Sequence, residues 1–371
     1  MASAPRPVFD PPPVDRPLFD PPLVDRGVRP NVAVVQPLPG IGDMIWHLPH
    51  LHALAAAAGG AVTLIAKPRS AAEQLLAADP AVRDIIWLDR NPDGRPGRHN
   101  GLRGLQRLAH ELRARRFDLI VLLHHSVSLA AAARLAGIPQ RAGYGYGAQR
   151  WLLNRGPMMS RRMLRQHQFQ RASAWLRTAG VPMAEAEPQL AIAEAAHRVA
   201  MARLTGVTRP FVAIGVAASE PSRQWGAAGF AALVRGLRAR GWPSMVLLGG
   251  TAEAPLAAEI RRLAGETGIT EAIGWPLDAV AALLAEATFY VGNNTGVMNM
   301  AAAVGIPTYA LFGTTPVFDH SRYIIPIASP PDPAAGDDGM ARIAPEAVLA
   351  AIEAGWDEIR SGSQGFKGLP R

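Results

Sequence analysis

Two separate series of short apolar runs, spaced by helix-length stretches, constrain this chain more than any other feature. NVAVVQ, AVTLIA, DIIWL and FDLIVLL are β-branched or leucine-rich, and helix-like stretches follow them at 43–58, 70–78, 101–116 and 127–136. Strands that alternate with helices predict parallel βαβ units whose sheet is covered on both faces. A helix is expected near 165–179, and the proline- and glutamate-rich GVPMAEAEPQL then reads as a connection. The alternation resumes with PFVAIGV, a helix over 226–240, SMVLLGG, a helix over 252–264, ATFYVGN, an alanine-rich helix, PTYALFG and a last helix over 345–359. The expected fold is α/β: two doubly wound, Rossmann-like domains over 29–182 and 210–360, a linker over 183–209, an N-terminal segment over 1–28 and a tail over 361–371. Ligands of such folds bind at the carboxyl ends of the strands, here expected in a cleft between the two domains.

Composition narrows the function classes. The 371 residues exceed one ordinary hydrophobic core, and 49% hydrophobic residues suffice to fill two. With no cysteine, a disulfide framework, a thiolate nucleophile and a cysteine-ligated metal are excluded. The first residues hold no apolar segment of the secretory kind. The longest apolar region, 119–136, is interrupted by His124, His125 and Arg134, so a cytoplasmic protein is expected. The net charge of +8 raises the question of nucleic acid, but the arginines are spread over amphipathic helices without an aromatic-basic stacking module. An acidic membrane face, approached peripherally, or an anionic acceptor is the expected partner instead. Residues 6–25 repeat RPVFDPPPVD as RPLFDPPLVD, a proline-rich extended segment carrying Phe9 and Phe19.

Five stretches hold the candidate site residues. After the first strand, PLPGIGDMIWHLP places Gly40 and Gly42 for a sharp turn and Asp43 at the start of a helix, where it either caps the helix or serves as a general base. Isoleucine at 45 breaks the G-x-G-x-x-G dinucleotide pattern. His47 lies one turn after Asp43, and His124 ends the fourth strand; each suits either packing or an acceptor site. Tyr144, in AGYGYG, either stacks on a sugar or faces solvent. No spacing suggests a metal site. In the second series, Ser219 and Arg223 follow the first strand, and an arginine there either pairs with a carboxylate or grips a phosphate in a bidentate manner. VGNNTGVMNMAAAVGIP delivers Asn293, Asn294, Thr295 and Gly296 to a helix start whose free amides form an anion cradle, with Asn299 one turn on.

In this order, PLPGIGDMIWHLP, HQFQRASAWLRTAGVP, SRQWGAAGFAAL and VGNNTGVMNMAAAVGIPTYALFGTTP resemble glycosyltransferase family 9, the heptosyltransferases of the lipopolysaccharide core, over roughly 31–359. The resemblance implies the GT-B fold and an inverting transfer of heptose from ADP-heptose to a hydroxyl of a glycan or other surface acceptor, lipid-linked or anionic. It implies no metal and no cofactor beyond the nucleotide sugar as co-substrate. Asp43 matches the family's proposed base, and Arg223 stands where the family has a phosphate-binding lysine. The family's D-T-G-x-x-H becomes Asn294 to Asn299. Asn294 keeps a capping oxygen while removing a negative charge, and Asn299 removes an imidazole. A catalytically silent sugar-nucleotide-binding scaffold is the alternative suggested by those two replacements.

Overall fold

The structure, a computed structural model, describes Leu18 and residues 29–160, 162–183, 187–317, 320–331 and 339–360. Apart from Leu18, the N-terminal repeat with Phe9 and Phe19, and likewise the tail over 361–371, lie outside the described residues. By contact the chain divides into two compact units. One comprises Met1–Pro39, Pro49–Ser70 and Pro80–Ala186, and the other Gly40–Leu48, Ala71–Asp79 and Glu187–Arg371.

The first series runs β1 (Val32–Gln36), α1 (Ile41–Ala57), β2 (Val62–Ala66), α2 (Ala72–Leu75), β3 (Val82–Trp87), α3 (Gly101–Ala114), β4 (Leu119–Leu122), α4 (Val127–Leu135), β5 (Gln140–Gly143) and α5 (Gln168–Thr178). Its five strands form one sheet in the order β3-β2-β1-β4-β5, with every pair parallel. β1, β2 and β4 are buried along their full length, which is why they read as unbroken apolar runs rather than as alternation. On one face Ala33, Val35, Ile120 and Leu122 pack against Leu108 and Leu112 of α3 and Ala130 and Ala133 of α4. Ser126 starts α4 as its N-cap, accepting the Leu129 amide at 3.3 Å. Trp175 of α5 is fully buried and donates its indole N–H to the Pro157 carbonyl at 2.9 Å.

The second series runs α6 (Glu194–Arg203), β6 (Phe211–Gly215), α7 (Ala227–Ala239), β7 (Ser244–Gly249), α8 (Ala254–Ala264), β8 (Ile269–Ile273), α9 (Leu277–Glu286), β9 (Phe289–Asn293), α10 (Gly296–Ala303), β10 (Thr308–Phe312), β11 (Ile324–Ala328) and α11 (Pro345–Arg360). Its sheet, β11-β10-β9-β6-β7-β8, is again wholly parallel. Val212, Ile214, Leu247, Val291 and Leu311 bury one face under Leu233 and Leu237 of α7 and Val348 and Ile352 of α11. In both sheets the chain leaves the first strand toward one edge and returns to build the other. The loops after β1 and β4, and after β6 and β9, therefore flank the two switch points where doubly wound sheets bind ligands.

Two expectations about organisation are corrected. The stretch taken as a linker contains α6 and is bonded into the second unit: the Leu190 amide donates to the Ala303 carbonyl at 2.9 Å, and His197 meets Glu286 of α9 at 2.9 Å. Gly40–Leu48 and Ala71–Asp79 fall inside the domain expected over 29–182, yet they group with the second unit. Side chains explain the second of these, since Gln74 Oε1 accepts the Leu277 amide at 2.7 Å at the start of α9. Leu247, fully buried in β7, reports on the core: Leu247→Ala should lower the unfolding free energy by about 2–5 kcal/mol, shifting the denaturation midpoint with an unchanged denaturant dependence.

Candidate functional site

At the switch point of the second sheet, one buried amide joins both loops. Asn293, fully buried at the end of β9, donates through Nδ2 to the carbonyls of Val216 at 3.1 Å and Ala217 at 3.2 Å and to Gln224 Oε1 at 3.2 Å. Its Oδ1 accepts the Trp225 amide at 3.3 Å. The expected contact of Asn293 with a donor is corrected, because its side chain fixes the loop after β6 against the strand-to-helix turn after β9. Trp225 anchors that loop further, donating its indole N–H to the Ile343 carbonyl at 2.9 Å.

The loop so held carries Ser219, which is exposed, and Arg223, which closes a one-turn helix. Arg223 forms an ion pair with Glu220 at 3.3 Å, yet its Nε is buried with no hydrogen-bond partner among the described residues. Both alternatives read from the sequence thus have a place: the guanidinium touches a carboxylate and keeps a donor for an anion. Across the switch point Asn294 is buried and Thr295 is the N-cap of α10. The Thr295 side chain makes no cap bond, so the opening amides of α10 are left without a side-chain acceptor among the described residues. The helix dipole adds about half a positive charge at that point.

The glycine turn after β1 packs directly on this helix start. A Cβ on Gly296 would stand 2.7 Å from Ile41 Cβ, and one on Gly42 would stand 2.9 Å from Asn299 Nδ2. Only glycine at both positions permits so close an approach. In the same turn Asp43 Oδ2 accepts the Gly40 amide at 3.1 Å, the reciprocal half of a capping box. Asp43 therefore does cap α1, but with one oxygen; Oδ1 has no protein donor among the described residues. Burial is the larger influence on Asp43 and raises its pKa above the ordinary carboxylate value, with the Gly40 hydrogen bond opposing.

Asn299 and His47 are placed differently from expectation. Asn299 is only 3% exposed, and its Nδ2 donates to the Thr295 carbonyl at 3.0 Å, which fixes the amide orientation. Its Oδ1 then faces Trp46 Nε1 at 2.9 Å and His320 Nε2 at 2.8 Å. The Trp46 indole N–H and a His320 Nε2–H both donate to that oxygen, and the two rings meet edge to face. Asn299 thus ties α10 to α1 rather than offering its donors to a ligand. His47 is fully buried, and its Nδ1 donates to the Asp43 carbonyl at 2.7 Å, so it supports the Asp43 turn from behind instead of meeting an acceptor. Trp46 and His320 were not legible as site residues; the signal available for Trp46 was its spacing three residues after Asp43, while His320 follows β10 in a stretch without pattern.

In the first unit, the loops after β2, β3 and β4 carry Lys67, Arg90 and His124 with His125. Burial first, then the positive charges of His125, Arg171, Lys67 and Arg90, hold His124 below the ordinary imidazole range. His124 Nδ1 and Arg171 Nε are both buried without a hydrogen-bond partner among the described residues. Gln149, fully buried, does here what Asn293 does in the other sheet. It donates to the His124 carbonyl at 3.0 Å and accepts the Gly145 amide at 3.1 Å, binding the loop after β4 to the loop after β5. Tyr144 is corrected: it is 3% exposed with its ring edge-on to Trp175 at 6.0 Å, a core residue available neither to solvent nor to a sugar. Burial pushes its phenol far up in pKa.

Comparison with known proteins follows the same outline. The family model described as glycosyltransferase family 9 (heptosyltransferase) matches residues 105–323. Lipopolysaccharide heptosyltransferase 2 of Escherichia coli (strain K12) is 28% identical over 252 residues, covering 59% of this chain and 68% of that protein. The crystal structure of a glycosyl transferase family 9 member from Veillonella parvula superposes with a TM-score of 0.73 at 20% identity, covering 88% of this chain and 96% of that one. The E. coli ADP-heptose lipopolysaccharide heptosyltransferase II structure superposes at 0.70 with 23% identity, covering 89% and 99%. At such identities the superpositions speak for the fold. For the site, Asn293→Ala leaves the buried Val216 carbonyl and the half-buried Ala217 carbonyl without their donor, and the melting curve should show a loss of about 1–3 kcal/mol.

Proposed function

The chain belongs to glycosyltransferase family 9, and from that premise we propose that it is an inverting glycosyltransferase that moves heptose from ADP-heptose to a hydroxyl of an anionic, lipid-linked glycan of the lipopolysaccharide-core type. The observation that carries the reading is the contact of two turns in the second unit: the one bearing Asp43 and the one opening α10 pack glycine against glycine. A carboxylate with one uncommitted oxygen thereby stands close to a helix start with uncapped amides.

In this reading the opening amides of α10, with Thr295 and Gly296, receive the diphosphate, and Arg223 and Ser219 approach it from the loop after β6. Asn293 and Asn294 set the backbone of that cradle. Asp43 takes the proton of the acceptor hydroxyl as its oxygen attacks the anomeric carbon. The bond from that carbon to the diphosphate oxygen breaks on the opposite side, which inverts the centre. Negative charge then grows on the departing nucleoside diphosphate, where the Arg223 guanidinium and the helix dipole act on the transition state more than on the ground state. Gly40 and Gly42 serve the acceptor side by holding Asp43 in place. The cations around His124 suit an acceptor that carries phosphate or carboxylate groups.

Asp43→Asn keeps the Gly40 hydrogen bond and removes the base. Transfer should fall about 10²–10⁴-fold while ADP affinity stays within about twofold, as read by steady-state kinetics and calorimetry; a fully active variant would sink the assignment. Because burial raises the Asp43 pKa and the reaction needs the ionised form, kcat/KM should rise with pH along an acid limb centred above the ordinary aspartate value of about 3.9, and the limb should vanish in the variant.

A further inference from the structure

The positive charge of this chain is not spread evenly. Between Asp118 and Glu185 there is no acidic residue, and the same stretch holds nine arginines, more than the net +8 of the whole chain. All of it falls in the first unit. Arg141 and Arg171 are held by backbone carbonyls, Arg141 by Leu152 at 2.9 Å and Arg171 by Leu164 at 2.8 Å, and their charge meets no carboxylate among the described residues. Arg134, Arg162, Arg165 and Arg177 are exposed.

The same stretch exposes large apolar side chains where the sheet ends. β5 is an outer strand, and beside it the two-turn 3-10 helix Gly147–Leu152 packs on α4. Val127, Ala131, Arg134 and Leu135 follow the i, i+4, i+7, i+8 spacing of one helical face, with Val127 39% and Leu135 49% exposed. Next to them Trp151 is 54% exposed with the Arg150 guanidinium 4.8 Å above its ring. Soluble surfaces interleave both signs of charge and keep such side chains apart. Aliphatic groups beside aromatic rings and arginines, with no acid among them, match the boundary between phosphate headgroups and acyl chains. A polynucleotide would reward the arginines and Trp151 but not Val127 and Leu135.

We propose that this edge, α4 with the 147–152 helix, docks the protein on an anionic lipid bilayer surface. No described helix is long and apolar enough to cross a membrane, so the contact is one of lying on the surface. The inference rests on charge and exposure and holds whether or not the transfer reading does. The full chain should co-sediment with phosphatidylcholine vesicles containing phosphatidylglycerol, not with phosphatidylcholine alone, and should be released as salt rises. Arg134→Gln and Arg150→Gln should each weaken the partition roughly fivefold. Trp151→Ser should weaken it at high and low salt alike. Melting curves and ADP binding of all three variants should match the parent, separating loss of docking from loss of fold or of the donor site. The proposal is overturned if the anionic vesicles leave the protein in the supernatant, if the variants bind them as the parent does, or if light scattering finds a dimer that these same substitutions dissociate.

Discussion

The approach of two glycines, Gly42 and Gly296, is the constraint on which the rest of the second unit's chemistry depends. Neither position tolerates a Cβ, because one would enter the Asn299 amide and the other the Ile41 side chain. With both absent, the first turn of α1 lies on the first turn of α10. Asn299 then bridges the two helices through Thr295 on one side and Trp46 and His320 on the other. Asp43 inherits its position from this packing and its raised pKa from the burial the packing produces.

Behind that contact stands the doubly wound arrangement itself. Parallel strands cannot be joined by tight turns, so the loops at their carboxyl ends commonly run into a helix N-terminus, and at a switch point two such loops are neighbours. A single buried amide fastens neighbouring loops in each sheet: Asn293 joins the switch-point loops after β6 and β9, and Gln149 joins the loop after β4 to the one after the outer strand β5. Backbone groups that would otherwise be buried without partners are satisfied by these two side chains. Loops that must present charge-binding atoms are thereby held as firmly as the strands that feed them.

The fold was legible wherever strands are central and doubly buried, since β1, β2, β4, β6, β7, β9 and β10 all announce themselves as apolar runs. Of the four edge strands only β3, read from DIIWL, did so. QRAG has little to bury, ITEAI keeps Glu271 for Arg261, and IIPIA contains a proline that only an outer strand accepts. α6 escaped notice because its alanines bury against α9 without a strong apolar stripe. At the site, Asp43, Arg223 and the Thr295–Gly296 turn stood out because glycine and capping residues mark helix starts in the sequence. Asn299, His47 and Tyr144 were misplaced for one reason: spacing places a residue on a helix face or loop but does not tell which way the neighbouring element lies. The concentration of charge in the first unit was visible in the sequence throughout, yet a whole-chain total concealed it.

The choice of carboxamides at Gln149 and Asn293 has a further result. An amide offers both hydrogen-bonding senses and never changes its protonation, so these two staples behave identically in acid and in neutral solution. One group that does exchange protons, the His124 ring, is carried on the loop after β4 that Gln149 fastens. Acidity can thus alter the charge of that loop while leaving its fastening alone, and the staple is blind to the variable that the ring beside it senses.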